Sequence, residues 1–229
     1  MSALRFIHTV DGLPAWMCVI TAIVALYAVF LTWLDPSGAD TALGMLCLWQ
    51  MLCTSRGFAA PASAGHYDPL LVREPRWRIA IAHAVHATLA GALAWALVGA
   101  TELIRGGAGA LAFEPARVGA FAFVSAVSWA LSLPGRRLVA GSIWLTLIFG
   151  MAATKIGLEQ YAMLLQRADG SALFVHALGF AVVCPFVLLD NEFPMQAEVS
   201  GAVSVIAAAA IAAGVAFVVR RDYPLESSI

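Results

Sequence analysis

Charged residues are scarce in this sequence, 12% of its 229 positions, where a soluble domain carries about a quarter. Hydrophobic residues make up 62% and the mean hydropathy is +0.87, so the composition excludes water as the main solvent. An excess of positive charge is missing too. The formal net charge is −1, which argues against binding nucleic acid through its phosphates, since that takes a concentrated basic surface. Cysteine is limited to Cys18, Cys47, Cys53 and Cys184. All four fall in apolar stretches without a CxxC pair, so they read as small buried hydrophobes, neither ligands nor disulfides. No G-x-x-x-x-G-K-[ST] phosphate loop is present. The nearest glycine cluster, Gly106, Gly107 and Gly109, lacks the Lys-Ser/Thr ending and fits a loop.

What the sequence does have is long apolar runs. At about 20 residues per spanning helix, the chain supplies roughly five to seven spans with short connections and no separate soluble domain. The run from Pro14 to Leu34 is longer than a signal-peptide core and has no small-residue cleavage site, so it reads as span one. Pro14 opens it, and Asp35-Pro36-Ser37-Gly38 closes it with turn chemistry. Before it, residues 3–12 mix Leu4, Phe6, Ile7 and Val10 with Arg5, His8 and Asp11, the pattern of an interfacial helix.

Further spans are expected at about Thr41–Phe58, Ile79–Ile104, Val118–Leu133, Leu138–Gly157 and Val199–Val219. The apolar stretch 174–189 is short and broken by Pro185, and it reads as a re-entrant hairpin within 173–193. Lysine and arginine placement gives the topology. With six spans and both termini inside, the inside receives Arg5, Arg56, Arg73, Arg76, Arg78, Arg136, Arg137, Arg220 and Arg221, nine of the thirteen basic residues. Arg105, Arg117, Lys155 and Arg167 stay outside. Were 174–189 a full crossing, the split would be seven to six. The fold expected is therefore an all-α integral membrane protein, 1–229 forming one domain of six transmembrane helices, with an N-terminal interfacial helix and a re-entrant hairpin before the last span.

The inside loop, about 61–78, is the most informative segment. It reads Gly65-His66-Tyr67-Asp68-Pro69-Leu70-Leu71-Val72-Arg73-Glu74-Pro75-Arg76-Trp77-Arg78. Asp68 can cap a helix whose first position is Pro69, so Pro69 to Glu74 is expected to make one short turn showing Leu70 and Leu71, stopped by Pro75. Trp77 would sit at the interface, with Arg76 and Arg78 near lipid headgroups. Apolar residues shown to the cytoplasm from such a helix suggest a protein partner. The stretch resembles the loop after span two of ABC type-2 exporter permeases, in which a Gly, an acidic residue and a Leu pair recur, here Gly65, Asp68, Leu70 and Leu71. The interfacial helix, six spans and broken hairpin are similar to that family as well.

The resemblance implies that this loop is a coupling helix, with Tyr67, Asp68, Pro69, Leu70, Leu71, Glu74, Arg76 and Arg78 meeting a cytoplasmic ABC ATPase subunit. It implies a permease in the inner (cytoplasmic) membrane, working as a homodimer or with a related permease, that exports substrate between the two copies. Such a chain does no covalent chemistry. ATP and Mg would be held by the partner, and this chain would carry no cofactor or metal of its own.

Other constellations read more simply. Lys155 and Glu159, four apart at the outer end of span five, pair with each other or, with Asp190 and Glu192, line a translocation path for a polar or amphipathic substrate. His83 and His86 in span three and His176 in the hairpin raise the alternative of a membrane-embedded haem- or metal-binding redox subunit or enzyme. On the expected map His176 lies at the other side of the membrane, so packing or interfacial roles fit better. Ser125, Ser128 and Ser132 suit bonds to helix backbone or a neighbouring helix. Trp16, Trp33, Trp77 and Tyr161 fall at span ends, as aromatic belts do. Small residues recur at helical spacing in span three (Ala87 with Gly91, Ala90 with Ala94) and in the last span (Ala207, Ala210, Gly214), faces suited to close helix packing.

Overall fold

A computed structural model describes residues 15–35, 38–54, 74–105, 111–133 and 196–220. These form five helices, α1 (Ala15–Leu34), α2 (Gly38–Thr54), α3 (Arg76–Ile104), α4 (Pro115–Ser132) and α5 (Gln196–Arg220), and a 3-10 turn at Leu111–Phe113 before α4. Two segments are long and apolar enough to cross a membrane, Arg76–Ile104 with a mean hydropathy of 1.6 and Val203–Arg220 with 2.2. The expected interfacial helix, span five, the hairpin at 173–193 and most of the 61–78 loop lie outside the described residues.

α1 begins at Ala15, beside the expected Pro14, but the other four helices begin about a turn earlier than hydropathy indicates: α2 at Gly38 and not Thr41, α3 at Arg76 and not Ile79, α4 at Pro115 and not Val118, α5 at Gln196 and not Val199. Backbone chemistry sets the starts of α3 and α4. Pro75 and Glu114 are extended caps, at φ −63°, ψ 137° and φ −63°, ψ 138°, and Pro115 takes the first position, where a missing N–H costs nothing. Arg76, Trp77 and Arg78, expected in the loop, therefore belong to the first turn of α3.

Cross-helix contacts fix the directions. Trp49 Nε1 donates to Thr21 Oγ1 at 3.1 Å, so α2 runs back along α1. Arg105, just past α3, donates to the carbonyls of Thr32 (2.8 Å) and Leu34 (3.4 Å), bringing the last turns of α1 and α3 together. Trp129 of α4 meets His83 of α3, while Trp95 Nε1 donates to Ala112 O at 2.8 Å, so α4 runs antiparallel to α3. Arg76 Nη1 reaches the Val219 carbonyl at 3.3 Å, so α5 also runs antiparallel to α3. It follows that α4 and α5 are parallel. Gly119 lies beside Ser200 and Ser204, and Gly214 beside Trp129 and Leu133.

All five helices thus share two ends. One, the basic end, carries Arg76, Arg78 and Arg220. The opposite end carries the turns after α1 and α3, and there the Ala112 N–H donates to Glu102 Oε2 at 2.8 Å. A larger apolar cluster fills the middle and the opposite end, with Ala28, Leu43, Leu46, Trp95, Val98, Phe123, Val124 and Val203. A smaller one at the basic end joins Ile79, Ala80, Trp129, Leu133 and Val218. Buried residues are often small, and the large apolar ones often face outward: Trp77, Ile81, Val85, Leu89, Leu93 and Leu97 form one exposed row along α3. Only 28% of the apolar window of α3 and 22% of that of α5 is buried.

Candidate functional site

The interior holds a seam of polar side chains. Gln50 of α2 is buried, and its Nε2 donates to the Ala87 carbonyl of α3 at 3.3 Å. Its amide occupies the space that a side chain at Gly91 would need, so any Cβ at position 91 would have to displace the end of the Gln50 side chain. The Gln50 Oε1 has no hydrogen-bond partner, a deficit worth about 1–3 kcal/mol in dry surroundings. Nothing in the sequence singled out Gln50 beforehand. The signal was a lone amide within an apolar run, since buried polar groups in such segments face other helices.

One turn closer to the basic end, Trp129 Nε1 donates to His83 Nδ1 at 3.0 Å, and both residues are buried. Indole is donor only, so His83 Nδ1 must accept, which places the proton of a neutral imidazole on Nε2. The bond ties α3 to α4 and occupies one of the two nitrogens available to a metal. Among the described residues no group of three or more His, Cys, Asp or Glu side chains comes together. His176 lies outside them.

The serines of α4 divide. Ser132 Oγ donates to the Trp129 carbonyl at 2.7 Å, as expected, whereas Ser125 and Ser128 are buried with hydroxyls that have no hydrogen-bond partner. Ser125 sits in a cleft of about 280 Å³ between α3 and α4, lined also by Val85, Thr88, Ala92, Ala122, Trp129 and Ile211. Ala84, Ala92, Ala122 and Ala126 are too small to fill the space between the helices. Arg117, expected in an outside loop, is 0% exposed within the first turn of α4 and lies 3.6 Å from Glu114 Oε2.

At the basic end the described part of the expected coupling loop is in view. Glu74 Oε2 lies 3.3 Å from Arg78 Nη1, and the Arg78 guanidinium rests 5.2 Å from the centre of the Trp77 ring. Arg76 points elsewhere, to the last turn of α5, where a cation is favourable beside unsatisfied carbonyls. Glu74 and Arg78 are therefore brought together, and Arg76 is not with them. Tyr67, Asp68, Pro69, Leu70 and Leu71 lie outside the described residues, as do Lys155, Glu159, Asp190 and Glu192.

Two other expectations meet detail. Trp33 and Trp77 are exposed at helix ends, as belt residues would be. Cys47 and Cys53 are buried, but Cys18 is exposed on α1, a correction that follows from its place on the outward face. No family model matches the chain, and neither a curated protein nor a solved structure similar to it was found.

Proposed function

We propose that the chain is a multi-pass membrane protein and the permease subunit of an ATP-driven exporter. The observation that carries the membrane setting is the exposed row from Trp77 to Leu97, in which Leu93 is 60% and Leu97 55% exposed. Such a continuous apolar face on a helix of 29 residues is unfavourable in water and ordinary against lipid. About 44 Å of helix at 1.5 Å per residue exceeds a hydrocarbon core of about 30 Å, so its ends project into the headgroup region.

Arrangement within the bundle supports the six-span topology with both termini inside. Arg76, Arg78 and Arg220 share the basic end, and Arg56, Arg73, Arg136, Arg137 and Arg221 adjoin helix ends there in sequence. This is the cytoplasmic side by the positive-inside rule. Because α4 and α5 are parallel, the chain between Ser132 and Gln196 returns from one end to the other. An odd number of crossings suits one full span plus a hairpin, and two full spans would not give it.

The exporter half of the reading rests on Gly65, Asp68, Leu70 and Leu71, which stand in sequence between α2 and α3. A short apolar turn there would dock on a cytoplasmic ATPase that binds ATP and Mg, and the rigid start of α3 would pass its movement to the bundle. Substrate would cross between two permease copies, with Lys155, Glu159, Asp190 and Glu192 on the path. The test is purification of the full chain in mild detergent from its native membrane, beside a Leu70→Asp, Leu71→Asp variant. An ATPase that copurifies with the wild type and is lost from the variant supports the proposal, and preparations lacking any ATPase in both overturn it.

A further inference from the structure

The cleft between α3 and α4 carries the strongest remaining signal. No charged side chain lines it. Three of its residues bear polar groups, and two of these are already engaged: Thr88 Oγ1 bonds the carbonyls of Ala84 and Val85 at 3.1 and 3.0 Å, and Trp129 Nε1 bonds His83. The third, Ser125, is 3% exposed with a hydroxyl that has no partner. It forgoes the backbone carbonyl one turn back, the bond that Ser204 makes to Ser200 at 2.9 Å. Val85 and Ala122 at the mouth are exposed, so the cleft opens onto the lipid-facing row.

Depth and size narrow the ligand. Thr88 is twelve residues from Arg76, about 18 Å along the helix, and sixteen from Ile104, about 24 Å. With Arg76 near one headgroup layer and a hydrocarbon core of about 30 Å, the cleft opens near the bilayer midplane, out of reach of a phospholipid's own oxygen atoms. A volume of about 280 Å³ equals roughly nine waters at about 30 Å³ each, room for one slender chain and not for a diacyl lipid. We propose that the cleft binds an uncharged lipophile, a long-chain alcohol or ketone, with its oxygen on the Ser125 hydroxyl and its chain between Ala92, Ala122 and Trp129. The inference rests on the membrane setting proposed above and is independent of the ATPase.

The probe is a long-chain alcohol carrying a mid-chain diazirine, photolysed with the full-length protein in phospholipid nanodiscs and mapped by peptide mass spectrometry. Labelling of Val85, Ala122 and Ile211 is expected to saturate and to fall about tenfold with excess unlabelled hexadecanol. Ser125→Ala should raise the half-saturating concentration about tenfold, as loss of a single buried hydrogen bond does, and Ala122→Phe should abolish saturable labelling. Leu93 and Leu97 serve as the reference for bulk lipid, labelled in proportion to probe in every variant. Cleft labelling that is uncompeted and equal to that at Leu93 overturns the ligand site and leaves the membrane setting standing. Labelling absent from Leu93 and Leu97 as well overturns both.

Discussion

The two faces of α3 differ in the sense opposite to a water-soluble helix. Its inward face carries His83, Gly91, Ala94 and Thr101 beside a few larger residues, and its outward face carries Trp77, Ile81, Val85, Leu89, Leu93 and Leu97. Small and polar residues are thus found inside, alongside Ile79, Trp95 and Val98, while the leucines Leu89, Leu93 and Leu97 face out. In the membrane setting proposed above, lipid tails are as apolar as leucine, so burial of leucine would give no gain, and packing of small residues and interhelical hydrogen bonds would hold the helices together.

Substitutions on each face can break this contrast. The largest effect is expected from Leu93→Arg on the outer row, about 3 kcal/mol against membrane insertion, read as a lower inserted fraction in a glycosylation-mapping assay. An unchanged insertion with a more soluble product would place that face in water. Next, Gly91→Val on the inner face collides with the Gln50 amide and Phe121, and overpacking of this kind costs about 1–3 kcal/mol. Its melting temperature in detergent should drop clearly. An unchanged value would mean that the Gln50 side chain swings clear of position 91.

Trp129→Phe deletes the donor to His83 and leaves part of the space of the buried indole unfilled, with an expected loss of about 1–3 kcal/mol. A double-mutant cycle with His83→Leu isolates that bond, and additive effects would deny it. Smallest of all, Leu93→Ala should change detergent stability by no more than about 0.5 kcal/mol, because the residue makes few contacts within the bundle. A loss of several kcal/mol would show that Leu93 is covered by protein.

The five described helices were legible in run length. Their starts were less so: hydropathy marks where the apolar run begins, while Pro75, Glu114 and Pro115 decide where backbone hydrogen bonding begins. The helical spacing of Ala87 with Gly91 and of Ala207, Ala210 and Gly214 pointed to close packing, and the structure sets Gly91 against Gln50 and Gly214 against Trp129. The partners themselves were hidden. His83 and Trp129 are 46 residues apart, and nothing local to either selects the other. Periodicity could not reveal which side of α3 faces inward either, as both sides are largely apolar and the distinction lies in side-chain size. Only the arrangement of the helices brings Ser125 to a cleft.

The shared direction of α4 and α5 has a consequence for biogenesis. Helices joined by a tight turn can pair as soon as both emerge, but two that point the same way must wait for the chain between them to double back. Trp129 and Leu133 therefore lack their contacts with Gly214 and Val218 until residues 196–220 have been made. A nascent chain stalled before residue 196 would present that unfilled side of α4 to whatever chaperone attends it, and α5 would be the helix that covers it.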